Sequence, residues 1–128
     1  MKIEHIAVAC NNKKESDKFF IKLLGLSEKR VFTVSEDLME KFFGNKEKKS
    51  VVRYGNEHFD IEVFLTEDDS KALDTFTHSC LIAKNRDKIV NDAITMDYEV
   101  VKVPRKDSDN YYLFIKDGFG NLYEIKSP

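Results

Sequence analysis

The sequence predicts an α+β fold built from two βαβββ modules in a pseudo-two-fold arrangement. Three observations carry that expectation. The order strand, helix, strand, strand, strand is read twice along 128 residues. Each half has a helix with apolar residues at i, i+1, i+4 and i+5, the stripe of a helix packed on a sheet. Each half also sets one histidine in its first strand and one glutamate in its last: His5 and Glu62, then His78 and Glu124.

Module one, about residues 1–68, opens with a strand at about 2–10 (KIEHIAVAC). NNKKES leads into a helix whose stripe is Phe19, Phe20, Leu23 and Leu24, with Gly25 as its stop. EKRVFTV at 28–34 reads as a strand. Ser35 is placed to cap a short helix carrying Leu38, Met39, Phe42 and Phe43, ended by Gly44. That helix is expected to be a packing element, with a lid over a ligand site as the alternative. SVVRYGNEHFDIEVFL then reads as a hairpin turning at GNE, with His58 on the surface of the turn.

Module two, about 74–128, repeats the plan. A strand at 76–83 precedes a helix at 86–96 with Ile89, Val90, Ala93 and Ile94 as its stripe. YEVVKV at 98–103 is a strand, PRKDSDN a loop, and YYLFIK–DGFG–NLYEIK a closing hairpin. The histidines stand 73 residues apart and the glutamates 62, so the copies differ mainly by the SEDLMEKFFGNKEK insertion of module one. Together the modules are expected to form one domain, 1–128.

Composition narrows the function classes. With 21 basic and 23 acidic residues the net charge is −2, which provides no basic footprint for nucleic acid. No apolar run nears the roughly 18 residues of a membrane span. MKIEHIAV opens directly as a strand, so no signal peptide is expected. The two cysteines, Cys10 and Cys80, have no CxxC spacing, and a reduced cytoplasmic protein is the economical reading.

Alternation along the strands points to a metal. His5, Ala7 and Ala9 share one strand face; His78, Cys80 and Ile82 share another. Cys10 falls on the face opposite His5. Glu62 lies between Ile61 and Val63, and Glu124 between Tyr123 and Ile125, so each carboxylate points away from an apolar core face. A carboxylate on a covered face needs a partner, because an unpaired buried charge is costly. Imidazole and carboxylate together suit borderline or hard divalent ions. Small Ala7 and Cys80 leave room beside the histidines for a ligand.

HIAVAC, FFIKLLGL, THSCLIA and IKDGFGNLYEIK resemble the vicinal oxygen chelate superfamily, which includes glyoxalase I, methylmalonyl-CoA epimerase, extradiol dioxygenases, and bleomycin- and fosfomycin-resistance proteins. The resemblance spans essentially the whole chain. In the last segment Asp117, Gly120, Asn121 and Glu124 match the family's closing hairpin, with Gly118 and Phe119 replacing its proline and second acid. The resemblance implies strands curled into a cup around one divalent ion (Zn, Ni, Co or Mn) held by His5, Glu62, His78 and Glu124. Four occupied positions is the pattern of bacterial-type glyoxalase I. Epimerases usually carry Gln where Glu62 stands, and the dioxygenases and fosfomycin-resistance enzymes use a His, His, Glu triad. Ala9 replaces an arginine that glyoxalase I uses for glutathione, and Asp97–Tyr98 replace a family glycine.

Implied with the fold is a glyoxalase-like lyase or isomerase that moves a proton beside a metal-polarised carbonyl of a small 2-oxo or 2-hydroxy compound. Glu124 and Glu62 are its candidate catalytic groups, and either could be the base. A homodimer acting on a small molecule is expected. The alternative is a metal-free, drug-sequestering binder of the same fold, like the bleomycin-resistance proteins.

Overall fold

The computed structural model describes all of Met1–Pro128. The chain packs as two compact units, Met1–Ser70 and Lys71–Pro128. Each is a βαβββ module with one four-stranded mixed sheet.

Unit one begins with β1 (Ile6–Cys10). Asn12 then starts a helix by accepting the Glu15 N–H at 2.9 Å, which satisfies one of the amides that the first turn leaves unpaired. One α-turn, α1 (Lys13–Ser16), runs straight into a π-helix, Asp17–Leu23. A wider i→i+5 bond, Leu24 N–H to the Phe19 carbonyl at 3.0 Å, replaces the expected α-helical spacing. The adjacent Phe19 and Phe20 are both buried in this helix, together with Leu23. Phe20 stacks on Tyr54 with centroids 5.1 Å apart, and the Tyr54 hydroxyl donates to Asp17 Oδ1 at 2.6 Å. Burial and that bond push the Tyr54 phenol up. Each such buried aromatic contributes about 1.5–3 kcal/mol.

β2 (Ser27–Val34), α2 (Glu36–Phe43), β3 (Lys49–Gly55) and β4 (Asp60–Leu65) complete the unit. The sheet order is β1-β4-β3-β2, with β1 parallel to β4 and the remaining pairs antiparallel. Ser35 caps α2 at Leu38 N (3.3 Å) and Gly44 ends it at φ 71°. Against the expectation of a packing helix, α2 buries only Met39; Leu38, Phe42 and Phe43 are exposed. The β3–β4 turn is closed by Asn56, whose Oδ1 accepts the amides of His58 and Phe59.

Unit two holds β5 (His78–Ile82), α3 (Arg86–Thr95), β6 (Glu99–Pro104), β7 (Tyr111–Lys116) and β8 (Leu122–Lys126). Its sheet order, β5-β8-β7-β6, repeats that of unit one strand for strand. The predicted stripe of α3 is partly shifted. Val90 and Ala93 are buried, Ile94 is exposed, and Arg86 is buried instead. Arg86 donates to the Tyr111 carbonyl at 2.8 Å and lies over the Tyr111 ring, and these contacts make the burial of a charge tolerable.

The two helix ends correspond. Gly25 and Asp97 both stand in the left-handed region, at φ 72° and φ 62°. The residue that follows each, Leu26 or Tyr98, is buried.

Candidate functional site

Along β4 and β8, fully buried residues alternate with less buried ones. In β4 the residues Ile61, Val63 and Leu65 are buried, and Glu62 and Phe64 lie on the opposite face. In β8, Tyr123 and Ile125 are buried and Glu124 lies opposite. The parallel ladders pair Ala7 with Glu62 and Cys80 with Glu124. His5 and His78 each stand two residues before that partner, so both imidazoles share a face with their glutamate. His5 lies one residue ahead of β1 and His78 is the first residue of β5, so both sit at strand entrances, not mid-strand as the sequence suggested.

Within each unit the histidine meets its glutamate. His5 Nε2 is 3.4 Å from Glu62 Oε2, and His78 Nε2 is 3.7 Å from Glu124 Oε2. The carboxylates are largely covered, with side chains 15% and 14% exposed, and the imidazoles are open at 36% and 37%. Each Glu turns its other oxygen to a cation: Arg53 Nη1 at 3.4 Å from Glu62 Oε1, and Lys126 Nζ at 3.5 Å from Glu124 Oε1.

The remaining ring nitrogens determine what these contacts mean. His5 Nδ1 meets Glu4 Oε2, and His78 Nδ1 meets the Phe76 carbonyl at 2.8 Å. Both partners only accept hydrogen bonds, so Nδ1 carries the proton in each ring. In neutral imidazole Nε2 is then a bare lone pair, and it faces a carboxylate oxygen. Two acceptors aimed at each other require a cation between them, either a second ring proton or a metal ion. The spacings exceed a good hydrogen bond. Two donors about 2.1 Å from one ion stand roughly 3.0–3.4 Å apart, depending on the angle, so the His5–Glu62 gap suits a shared ion and the His78–Glu124 gap is slightly wide. No group of three or more His, Cys, Asp or Glu side chains is placed to hold a metal. Each unit supplies two donors.

The surroundings differ. Arg53 opposes Glu62 in the β3–β4 ladder, whereas Phe114 opposes Glu124 in the β7–β8 ladder. Phe114 packs edge-on to His78 at 5.5 Å. Arg53 also binds Asp60 through Nε (2.7 Å) and Glu4 through Nη2. Gly55 faces Asp60, and a Cβ there would collide with the Asp60 carboxylate. Lys29 and then Arg53 draw the Asp60 carboxyl below its ordinary range; His5 and then Arg53 do the same for Glu4. Burial, and then the neighbouring Glu124, push the Cys80 thiol up, which argues against a reactive thiolate.

Asp117 sets the turn that leads into Glu124. Its Oδ1 accepts the amides of Phe119, Gly120 and Asn121, each at 3.0 Å. Its Oδ2 accepts Asn121 Nδ2 at 2.8 Å and the Tyr123 hydroxyl at 3.2 Å. Burial pushes this carboxyl up, and the bonds from Asn121, Phe119 and Tyr123 oppose the shift.

Of the other residues weighed from sequence, His58 is exposed in its turn beside Glu57, and Cys10 is buried on the core side of β1. Glu4 was not singled out. Alternation assigns it to the face opposite His5, but it precedes the strand and is not bound by the pleat. Arg53 lies within the SVVRYGNEHFDIEVFL hairpin. The register of the hairpin around Asn56 was the signal that could have paired it with Glu62.

A family model described as Glyoxalase/Bleomycin resistance protein/Dioxygenase superfamily matches residues 2–125. A search of curated proteins finds no match. Among solved structures, the chain is similar to a glyoxalase family protein from Bacillus cereus at 14% identity and TM-score 0.77, over 99% of this chain and 93% of that one. It is also similar to the fosfomycin resistance protein FosX from Listeria monocytogenes, at 12% identity and TM-score 0.73 over 100% and 93% of the two chains. A glutamine-for-glutamate mutant of that FosX, complexed with Mn(II) and 1S,2S-dihydroxypropylphosphonic acid, aligns at 15% identity and TM-score 0.71 over 98% and 91%.

Proposed function

The chain belongs to the Glyoxalase/Bleomycin resistance protein/Dioxygenase superfamily, and from that premise we propose that it is a glyoxalase-like, metal-dependent isomerase or lyase. One divalent ion (Zn, Ni, Co or Mn) would be held by His5, Glu62, His78 and Glu124. The observation that carries this reading is the pair of facing acceptors, Nε2 against Oε2, built the same way in both modules. Mn(II) in a FosX structure of the same fold is in keeping with a cation here.

When bound, the ion supplies Lewis-acid polarisation of a substrate carbonyl and so acidifies the adjacent C–H. The protein's part is to place a carboxylate at that proton. Glu124 and Glu62 are the groups for it: one takes the proton from carbon and returns it to a neighbouring position, closing an isomerisation with no net proton change. A small 2-oxo or 2-hydroxy compound would lie against the small side chains of Ala7 and Cys80, which pair in register with the two glutamates. A cytoplasmic homodimer completes the reading.

The test is metal content per chain in untagged protein purified without chelator, wild type against His5→Ala. Near-stoichiometric metal lost in the variant is the expected result. It would be followed by assays on hemithioacetals and 2-oxo acyl substrates, where Glu62→Gln and Glu124→Gln should lower kcat by about 10²–10⁴ with the circular dichroism spectrum unchanged. Absence of metal after incubation with each ion would sink the mechanism and leave a small-molecule binder of the same fold.

A further inference from the structure

The contacts around the first histidine close a ring that has no counterpart in module two. His5 Nδ1 meets Glu4 Oε2; Glu4 Oε1 meets Arg53 Nη2; Arg53 Nη1 reaches Glu62 Oε1; and Glu62 Oε2 faces His5 Nε2. In module two the histidine is held by the Phe76 carbonyl, and Phe114 occupies the ladder position of Arg53. We infer that Glu4 and Arg53 are positioning residues that present His5 Nε2 and Glu62 Oε2 to the same cation. The inference deepens the metal reading above and rests on it.

The geometry assigns each a separate task. Glu4 only accepts, so it holds the His5 proton on Nδ1 and leaves Nε2 as the free donor. Arg53 occupies Glu62 Oε1 and leaves Oε2 as the single oxygen turned to His5. The planar fork lets one guanidinium span three carboxylates, Glu4, Asp60 and Glu62, which a lysine's point charge would not do in fixed directions. Asp60, itself tied to Lys29 at 2.6 Å, anchors that fork to the sheet. Carboxylate partners of ligating histidines characteristically govern affinity by about 10–100-fold.

Two measurements test this on the full chain. Nitrogen-15 shifts of the His5 ring in metal-free protein, at a pH where the imidazole is neutral, report which nitrogen carries the proton. Titration with Co(II), followed by its visible absorption, reports affinity and ligand set. The expected result is an Nδ1–H ring in wild type, a shift toward Nε2–H in Glu4→Ala, and a Co(II) Kd raised about tenfold or more with the metal-free circular dichroism spectrum unchanged. Glu4→Gln keeps an acceptor for Nδ1–H and should restore the tautomer. Arg53→Met should raise the Kd without altering the tautomer. A wild-type His5 protonated on Nε2, or a Glu4→Ala variant with unchanged tautomer and Kd, overturns the inference. Wild type that binds no Co(II) sinks the metal reading instead, and the ring tautomer still decides the role of Glu4.

Discussion

At Asp117 a single side chain organises a turn. Five donors converge on one buried carboxylate, three of them the backbone amides of Phe119, Gly120 and Asn121. Removing the carboxylate takes an acceptor from all five, although the Gly120 N–H keeps its bond to the Asp117 carbonyl at 3.1 Å. Asp117→Ala should therefore cost on the order of 3 kcal/mol in urea denaturation, with metal retention falling alongside because Glu124 follows from that turn. A loss within experimental scatter would mean that the turn holds without it. The four candidate ligands were legible as residues, since imidazole and carboxylate recur at matched places in a repeat. Glu4 was not, because its direction depends on where β1 starts, which no alternation pattern reports.

Helix ends show how one backbone requirement is met by two sequences. The left-handed position after the first helix holds Gly25, with open space around a notional Cβ; the matching position after α3 holds Asp97. Glycine adopts that conformation freely, whereas an L-residue pays roughly 1 kcal/mol, less for Asp than for most. Asp97 also sets a negative charge at a helix C-terminus, which disfavours it further. Asp97→Gly should stabilise the protein by about 0.5–1 kcal/mol and Gly25→Ala should destabilise it by about 1 kcal/mol, read as shifts of the urea midpoint. Equal midpoints for all three proteins would remove the argument. Strand and helix order was readable because each helix stripe and each alternating strand is local. The π-helical turn was not: its widened bond accompanies the burial of both Phe19 and Phe20, the latter stacked on Tyr54. Likewise Phe42 and Phe43 are exposed, and the sequence of α2 carries no sign of it.

Over the whole chain, acid sensitivity follows from the carboxylates. Glu4, Asp17, Asp60, Asp68 and Asp74 are held below their ordinary range, and Asp117 alone is raised. A depressed carboxylate binds fewer protons folded than unfolded, so its stabilisation is present above the unfolded pKa of about 4 and is lost as pH falls through the folded value. Asp117 has the opposite sign: its contribution is present at low pH and is lost as pH rises through its raised value. Five against one, the urea midpoint should fall below about pH 4, less steeply in high salt because most of these groups are exposed. A flat midpoint from neutrality to pH 3 would contradict this. No helix is long and apolar enough to cross a membrane. The sequence by itself determined the α+β class, the repeated βαβββ order and the face on which each glutamate lies, because periodicity and alternation are local properties of the chain. Only the tertiary structure decided that β1 pairs with β4 and β5 with β8, and with it that each histidine meets its glutamate, because those parallel ladders join residues far apart in the chain.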